Sequence, residues 1–385
     1  MGGKAIKDNK TLWFLFHSAA ELFIGKRYGY TYDRIKVEPP FMLISNHVTN
    51  NDPFLITAAS KHQPLAFVVS EHLAREGLVT RVLGVIAHTV PRPKAAAGAG
   101  AVKGILRQLR NGNPVVLFAE GDCTWDGVSA GIFPATGKLV KAAKVPLVTF
   151  RIENGYLVSP RWSDKPRRAR THGSLVRVYS PDELAGMTPE EVDAAIERDI
   201  YENVWERQIS ERTAIRSGRR AERLELALFI CPECGRAGSL RSKGNTLFCG
   251  ACGAEYPVDE YGFFKGSRFR TVAEWDEWQR NEAGKLNGSG LFPSEGVLTD
   301  LTGDKRIERV GFSLEPDHNA IRINDREIPF ERISDMAMVK TSRLLFSDDE
   351  GYHEIKSKDA VLRPYLLAWQ GRRAKTEGLI CSFHR

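Results

Sequence analysis

Nowhere does the 385-residue chain stay apolar for the ~20 positions that a spanning helix needs, so a polytopic membrane protein is excluded. Cysteine is scarce, at six residues, which excludes a disulfide-stapled miniprotein. Glycine and proline form no periodic tract, and 42% hydrophobic against 27% charged residues excludes collagen and wholesale disorder. Charge of one sign is in only mild excess: 55 Lys and Arg against 48 Asp and Glu leave +7. That suits an anionic ligand or surface without naming one. No internal repeat is present, and the length predicts two or three domains at ~150 residues each.

Near the start, Leu12, Trp13, Phe14, Leu15, Phe16, Leu22, Phe23 and Ile24 are apolar, but His17, Ser18 and Glu21 interrupt them. Lys4, Lys7 and Lys10 precede the segment, and Lys26 and Arg27 follow it. A signal peptide would be more uniformly apolar and would carry a small-residue cleavage site, so none is expected. Two readings stay open: a helix packed on the core, or an interfacial helix with basic flanks lying on a bilayer.

Between about 35 and 180, short apolar runs at 41–45, 65–70, 115–119 and 146–152 alternate with helical stretches near 53–61, 97–111 and 134–144. This alternation predicts an α/β domain with a mostly parallel sheet. Such sheets carry their functional residues at the carboxyl ends of the strands. A helix is expected over 189–212, with Thr188 as N-cap and Pro189 behind it. Arg212, Arg216, Arg219, Arg220 and Arg223 then form a basic run, and a short helix near 271–284 carries Trp275 and Trp278. Those two indoles are expected to pack between modules. From about 296 to 356 the pattern alternates as strands do, with turn signals at Pro316-Asp317 and Asn324-Asp325. A helix over about 359–373 closes the chain. Strands followed by one helix loosely resemble a PH-like or GRAM-like domain.

The most informative stretch is Asn46, His47, Val48, Thr49, Asn50, Asn51, Asp52 and Pro53. A buried strand ends at Ser45, His47 emerges into the turn, and Asp52-Pro53 opens a helix with Asp52 as the expected cap. A carboxylate on one imidazole nitrogen leaves the other free to take a proton from a hydroxyl. No G-x-S-x-G elbow is evident, which weakens a serine hydrolase reading.

These residues resemble the N-H-x-x-x-x-D motif of the glycerolipid acyltransferases, the lysophosphatidate acyltransferase group. Three further pieces follow in that family's order: Val90-Pro91-Arg92, Phe118-Ala119-Glu120-Gly121, and Val145-Pro146 with the apolar residues after it. The resemblance covers about residues 10–210. It implies that His47 is a general base and Asp52 its orienting partner, acting on an acyl-thioester from acyl-CoA or acyl carrier protein. It implies further that Asn46, Glu120 and Gly121 shape the acceptor site and that Arg92 meets a phosphate or other anion. The chain also departs from the family, which commonly continues Glu-Gly-Thr-Arg; here Asp122 and Cys123 follow Gly121. A lysophosphatidate acceptor is less secure for that reason. Arg92, Lys94, Lys103 or Lys138 could replace the lost cation, or the acceptor could be uncharged there, and Cys123 receives no role.

Arg161, Lys165, Arg167, Arg168, Arg170 and Arg177 make a local basic cluster with one acid, Asp164. Beside a lipid-processing site it would hold acidic headgroups. Cys231, Cys234, Cys249 and Cys252 form two C-x-x-C pairs, each followed by glycine. That spacing predicts a zinc ribbon with structural zinc, iron being the competing metal. The expected organisation is an acyltransferase domain over 1–212, a basic linker, ribbon and short helix over 213–285, and a β-rich PH-like domain over 286–385. The expected enzyme is cytoplasmic and peripheral on the inner face of a membrane. Its partners would be a lysolipid acceptor, an acyl donor and an anionic membrane surface. The ribbon has few aromatic stacking candidates, so nucleic acid is not expected as a partner. A nucleic-acid or protein-binding module without acyl transfer is the alternative.

Overall fold

A computed structural model describes residues 10–60, 64–70, 85, 87–92, 99–302 and 307–376. Lys4, Lys7, Lys94 and Cys381 lie outside the described residues. The chain divides into two compact units, one of residues 1–160 and 166–214, the other of 161–165 and 215–384.

The first unit is built on seven strands: β1 (Tyr30–Tyr32), β2 (Met42–Ser45), β3 (Ala66–Ser70), β4 (His88–Arg92), β5 (Val115–Phe118), β6 (Leu147–Glu153) and β7 (Thr171–Tyr179). Their order is β1-β7-β6-β2-β5-β3-β4, and every pair is parallel except β6 with β7. The sheet is therefore mixed: five strands run parallel as expected, and β7 and β1 run against them. β7 falls inside the stretch read as a basic cluster, because its polar outer positions hid the strand pattern. Residues of β2 and β5 are apolar at consecutive positions because both faces are covered (Met42, Leu43, Ile44, Val115 and Val116 are all buried). Each such side chain contributes about 1.5–3 kcal/mol by leaving water. Pro91 is accommodated because β4 is an edge strand.

Helices α1 (Lys10–Tyr28), α2 (Asp52–Ala59), α3 (Ala99–Arg110), α4 (Thr136–Ala143), α5 (Pro189–Ile200) and α6 (Val204–Glu211) belong to this unit. Ile105, Leu109, Val140, Val192 and Ile196 join Met42, Ile44, Val115 and Leu147 in one core. The expected single helix over 189–212 is two, because Asn203 caps a new helix by accepting from the N–H groups of Trp205 and Glu206. Glu202 is buried in the break, where it accepts from the Asn154 N–H and from Arg207.

In the second unit, β8 (Leu240–Lys243), β9 (Thr246–Cys249) and β10 (Glu255–Pro257) form a small antiparallel sheet. Seven further strands run β11 (Leu291–Asp300), β12 (Ile307–Glu315), β13 (Ala320–Ile323), β14 (Arg326–Pro329), β15 (Asp335–Val339), β16 (Arg343–Asp348) and β17 (Gly351–Lys356). They are ordered β14-β13-β12-β11-β17-β16-β15, antiparallel throughout. The turn at Asn324 uses a left-handed residue, φ 51°, as its Asn-Asp signal requires. Two helices complete the unit, α7 (Val272–Ala283) and α8 (Arg363–Thr376). Trp275 on α7 is fully buried and its indole N–H donates to the Ile230 carbonyl. Arg363 at the head of α8 donates to Asp276 of α7 at 2.7 Å and to the Ala227 carbonyl at 2.7 Å, both side chains being buried. One ion pair thus ties the small sheet's module to the seven-stranded one.

Candidate active site

Because β2 and β5 are parallel neighbours with Ser45 opposite Phe118, the chain leaves both strands at the same edge. Two residues beyond each strand end stand His47 and Glu120, and the His47 N–H donates to Glu120 Oε1 at 3.0 Å. The other carboxylate oxygen of Glu120 accepts from the Ala130 N–H at 2.9 Å. Burial pushes the Glu120 carboxyl up to about 7, against the pull of these two N–H donors and of His47. Glu120 therefore grips the backbone of the histidine turn.

Asp52 is fully buried as the first residue of α2. It is not the cap: Asn51 occupies that position, and the Asp52 carboxylate turns back to the preceding turn instead. Its Oδ2 accepts from the N–H of Val48 at 2.6 Å and of Thr49 at 2.9 Å, and lies 2.9 Å from His47 Nδ1. Its Oδ1 accepts from the Thr49 hydroxyl at 2.8 Å. With both oxygens held, the carboxylate cannot rotate, and the imidazole it meets through Nδ1 is oriented with it. Phe118 stacks on that ring at 4.3 Å and 19° between planes. Nε2 is the ring nitrogen that Asp52 does not engage. Burial disfavours a charged ring, but the Cys123 sulfur and the Asp52 carboxylate more than offset it, holding the His47 pKa well above the ordinary imidazole value.

The other expected site residues lie around this pair in different ways. Asn46 is fully buried, accepting from the Ile152 N–H at 2.8 Å and donating to the Ile152 carbonyl at 3.0 Å. Its amide is committed to β6, clamping the start of the histidine turn, rather than being turned toward a ligand. Gly121 has φ 79°, and a Cβ there would stand 2.1 Å from the Phe133 ring, so no other residue fits without displacing that ring. Its N–H donates to the Phe118 carbonyl rather than lying open to an anion. Arg92 ends β4 at the same sheet edge as His47, and its side chain lies outside the described atoms.

Cys123 is the residue that sequence reasoning passed over. Its sulfur lies 3.4 Å from His47 Nε2 and 3.6 Å from Nδ1. A separation of 76 residues gives no spacing signal for that contact. A small cavity beside His47 is also lined by Glu120, Thr124, Asn154 and Glu202. The last two arrive from strand and helix ends far along the chain and carry no motif.

The basic stretches are less free than they looked. Arg161 and Arg167 are buried, and Arg161 donates to the Met338 and Lys340 carbonyls. Arg220 donates to the carbonyls of Val258 and Ser217, and Arg223 to that of Lys358. Arg161, Arg220 and Arg223 thus bind backbone within the second unit.

The four cysteines of the second unit are brought together, their sulfurs all within 4.8 Å of one another. Two matching turns achieve this. The Gly235 N–H donates to the Cys231 carbonyl and the Gly253 N–H to that of Cys249, each at 2.9 Å, with both glycines at positive φ. Four sulfurs so close together could hold a metal ion.

Sheet and turn together set a strand-end histidine against a fully buried carboxylate. Residues 28–153 match the family model described as Acyltransferase, which marks an acyltransferase domain over that stretch of the chain. Every motif that carried the resemblance lies inside the matched stretch. No curated protein matches the chain. Ten solved chains match, among them the crystal structure of the 1-acyl-sn-glycerophosphate (LPA) acyltransferase PlsC from Thermotoga maritima. That likeness has 18% identity and a TM-score of 0.41, and it covers 50% of this chain and 80% of the other.

Proposed function

We propose that the chain transfers a fatty acyl group from acyl-CoA or acyl carrier protein to the hydroxyl of a lysophospholipid. The first acceptor to consider is 1-acyl-glycerol-3-phosphate, giving phosphatidate. The observation carrying this reading is the 2.9 Å contact of His47 Nδ1 with the fully buried Asp52, inside the stretch that matches the acyltransferase family. Asp52 keeps the proton on Nδ1, and Nε2 takes a proton as the new acyl bond forms. The same nitrogen then returns it to the departing thiol. Glu120 and Asn46 keep the turn in register, and Arg92 supplies the cation for an acceptor phosphate. Asp122 and Cys123 stand where the family has a threonine and an arginine, so another lysolipid acceptor belongs in the same test. Acylation of a panel of lysolipids, read by mass spectrometry with both donors, decides the acceptor. Retention of full activity by His47→Ala would defeat the base assignment.

The enzyme is expected to work as a peripheral protein on the inner, cytoplasmic face of a membrane. Among the described residues no helix is long and apolar enough to cross a bilayer. Helix α1 is apolar on two sides. Trp13, His17 and Ile24 are buried, and His17 Nε2 lies 2.8 Å from the Thr57 carbonyl, while Leu12, Leu15 and Leu22 lie exposed on the opposite side. At spacings of three and seven the exposed leucines form one stripe, which suits the boundary between headgroups and acyl chains.

Cys231, Cys234, Cys249 and Cys252 fit structural zinc. The sulfurs of Cys231 and Cys252, and of Cys234 and Cys249, are 3.8 Å apart. Four ligands at about 2.3 Å around tetrahedral zinc would stand about 3.8 Å from one another. The metal would close a ribbon with too few apolar residues to hold itself. Seven antiparallel strands and a closing helix support a PH-like reading of the chain from 286 onward.

A further inference from the structure

Asn154 follows directly on β6, and its side chain is buried with one end unanswered. Only 4% of the residue is exposed. The amide nitrogen donates to Glu211 Oε2 at 3.3 Å, which fixes the end that faces that carboxylate. The amide oxygen, Oδ1, has no hydrogen-bond partner among the described residues. A buried acceptor left unpaired is uncommon, because it gives up its bond to water without a replacement. Asn154 also lines the cavity beside His47.

The other side chains around this cavity share its character. The hydroxyl donors are already committed: Thr124 donates to Asp126 Oδ1 at 2.9 Å, Ser129 to the Ile200 carbonyl at 3.4 Å, and Tyr156 to the Trp125 carbonyl at 3.0 Å. Glu120 and Glu202 add carboxylates, and no lysine or arginine stands among the described residues lining the space. Their oxygens accept from backbone N–H groups and from Arg207, yet a carboxylate has about four acceptor positions and keeps some of them. A hydroxyl or ammonium would bring donors to these acceptors, whereas a phosphate would bring only more acceptors. The cavity has about 230 Å³ of empty space, less than the ~300–1,000 Å³ that a whole small-molecule ligand fills, so only the tip of a larger molecule enters.

We infer that this cavity takes the headgroup tip of the acyl acceptor, a hydroxyl or ammonium donating to Asn154 Oδ1, and that Asn154 sets acceptor specificity. The inference rests on the lysolipid reading above. It moves the preferred acceptor from a bare phosphate monoester to a headgroup that ends in a hydrogen-bond donor. Because His47 lines the same cavity, a group held there lies beside the base. A quaternary ammonium has the charge of a primary one but no N–H, so it would leave the buried acceptors unpaired and be rejected for that reason.

The test is the full chain's acylation of four lysolipids with the same acyl chain, using acyl-CoA and acyl carrier protein thioesters in turn. Lysophosphatidylglycerol and lysophosphatidylethanolamine end in donors, lysophosphatidylcholine in a quaternary ammonium, and lysophosphatidate in an anion. At least one of the first two is expected to exceed both of the others by about tenfold or more in kcat/KM, and the faster one tells hydroxyl from ammonium. Asn154→Gly suits the positive φ of 59° and should bring that preference within about threefold. Asn154→Asp with Glu211→Gln rebuilds both the acceptor and its contact, and should restore the preference. If Asn154→Gly fails to fold, the wild-type panel and this double variant still decide. Preference for lysophosphatidate or lysophosphatidylcholine, or equal rates with all four, would overturn the inference while upholding the lysolipid reading. An unchanged preference in Asn154→Gly would overturn the role of Asn154. Acylation of none of the four with either donor would remove the reading and the inference together.

Discussion

The turn at 46–52 and the paired turns at 231–252 solve the same problem in opposite ways. Each uses tight turns to converge polar groups that would repel or be desolvated if left alone. In the first, backbone N–H groups of Val48 and Thr49 hold the Asp52 carboxylate, and the imidazole beyond it keeps a reactive edge. In the second, the glycine turns bring four sulfurs within 4.8 Å of each other, and nothing but a cation could keep them there as thiolates. On the function proposed above, the open arrangement leaves an atom for chemistry, whereas the closed one commits every donor to structure. Losing a group from the open site should therefore cost activity, and losing one from the closed site should cost the fold.

The largest effect should follow from breaking the closed site. About one zinc per chain is expected by elemental analysis of purified protein. Stripping it should forfeit an apparent binding energy on the order of 10 kcal/mol, which is folding energy for that module. The thiols should then become reactive together, and the near-ultraviolet dichroism of buried Trp275 should collapse. Full metal content without zinc would remove the zinc assignment, and a metal-free protein with unchanged dichroism would remove the structural role of the cysteine site.

Next comes the open site. His47→Ala should lower acyl transfer by about 10²–10⁴-fold while leaving the melting temperature near wild type. Asp52→Asn should lower transfer similarly and also melt earlier, since a neutral amide replaces the charged acceptor of two N–H groups and a hydroxyl. Equal melting of both variants would mean that the Asp52 network contributes little to the turn.

Both sites could be read from short spacings, and much of the rest could not. The buried runs Met42–Ile44 of β2 and Val115–Phe118 of β5 are apolar because both faces are covered. The five-residue step from His47 to Asp52 fits within one turn. The cysteine turns likewise announce themselves through C-x-x-C-Gly. Hidden features depend on partners far along the chain. β7 pairs antiparallel with β6 and exposes Leu175 through Arg177 in part or whole, so its residues looked like a basic surface. Arg220 and Arg223 read only as part of a basic run, but they donate to carbonyls that only the fold brings near. Cys123 was silent for the same reason, its contact with His47 crossing 76 residues.

The buried ion pair of the second unit ranks third. Arg363→Met leaves Asp276 buried with Gln279 and Arg280 as its remaining partners. Removing one partner should destabilise the unit by about 3–5 kcal/mol, read by chemical denaturation. Asp276→Leu with Arg363→Met should recover part of the loss, because no uncompensated charge remains. Additive losses would show that hydrogen bonds to Ala227, not the charge pair, hold α8.

A smaller effect is expected on the first unit's surface. Leu15 and Leu22 are each 60% exposed, so Leu15→Glu with Leu22→Glu should leave the melting temperature nearly unchanged. Binding to vesicles containing anionic lipid should fall by about tenfold or more, since each leucine contributes about 1–2 kcal/mol at an interface. Unchanged sedimentation with vesicles would mean that the stripe does not meet lipid.

The finest test concerns charge within the open site. Cys123, Asp52 and Glu120 all face His47, and the first two raise its pKa against the opposing effect of burial. A raised pKa means that the free-base form, the one able to take a proton, accumulates only as pH climbs above the ordinary imidazole value of about 6.5. Transfer should therefore rise on the alkaline side of neutrality. In Cys123→Ala the sulfur's contribution disappears while the Asp52 contact stays, so the ring should titrate at lower pH. Nuclear magnetic resonance of the His47 ring protons reads this directly and does not require turnover. A titration point that stays fixed, or moves upward, would show that thiol and imidazole are merely packed together and not electrostatically coupled.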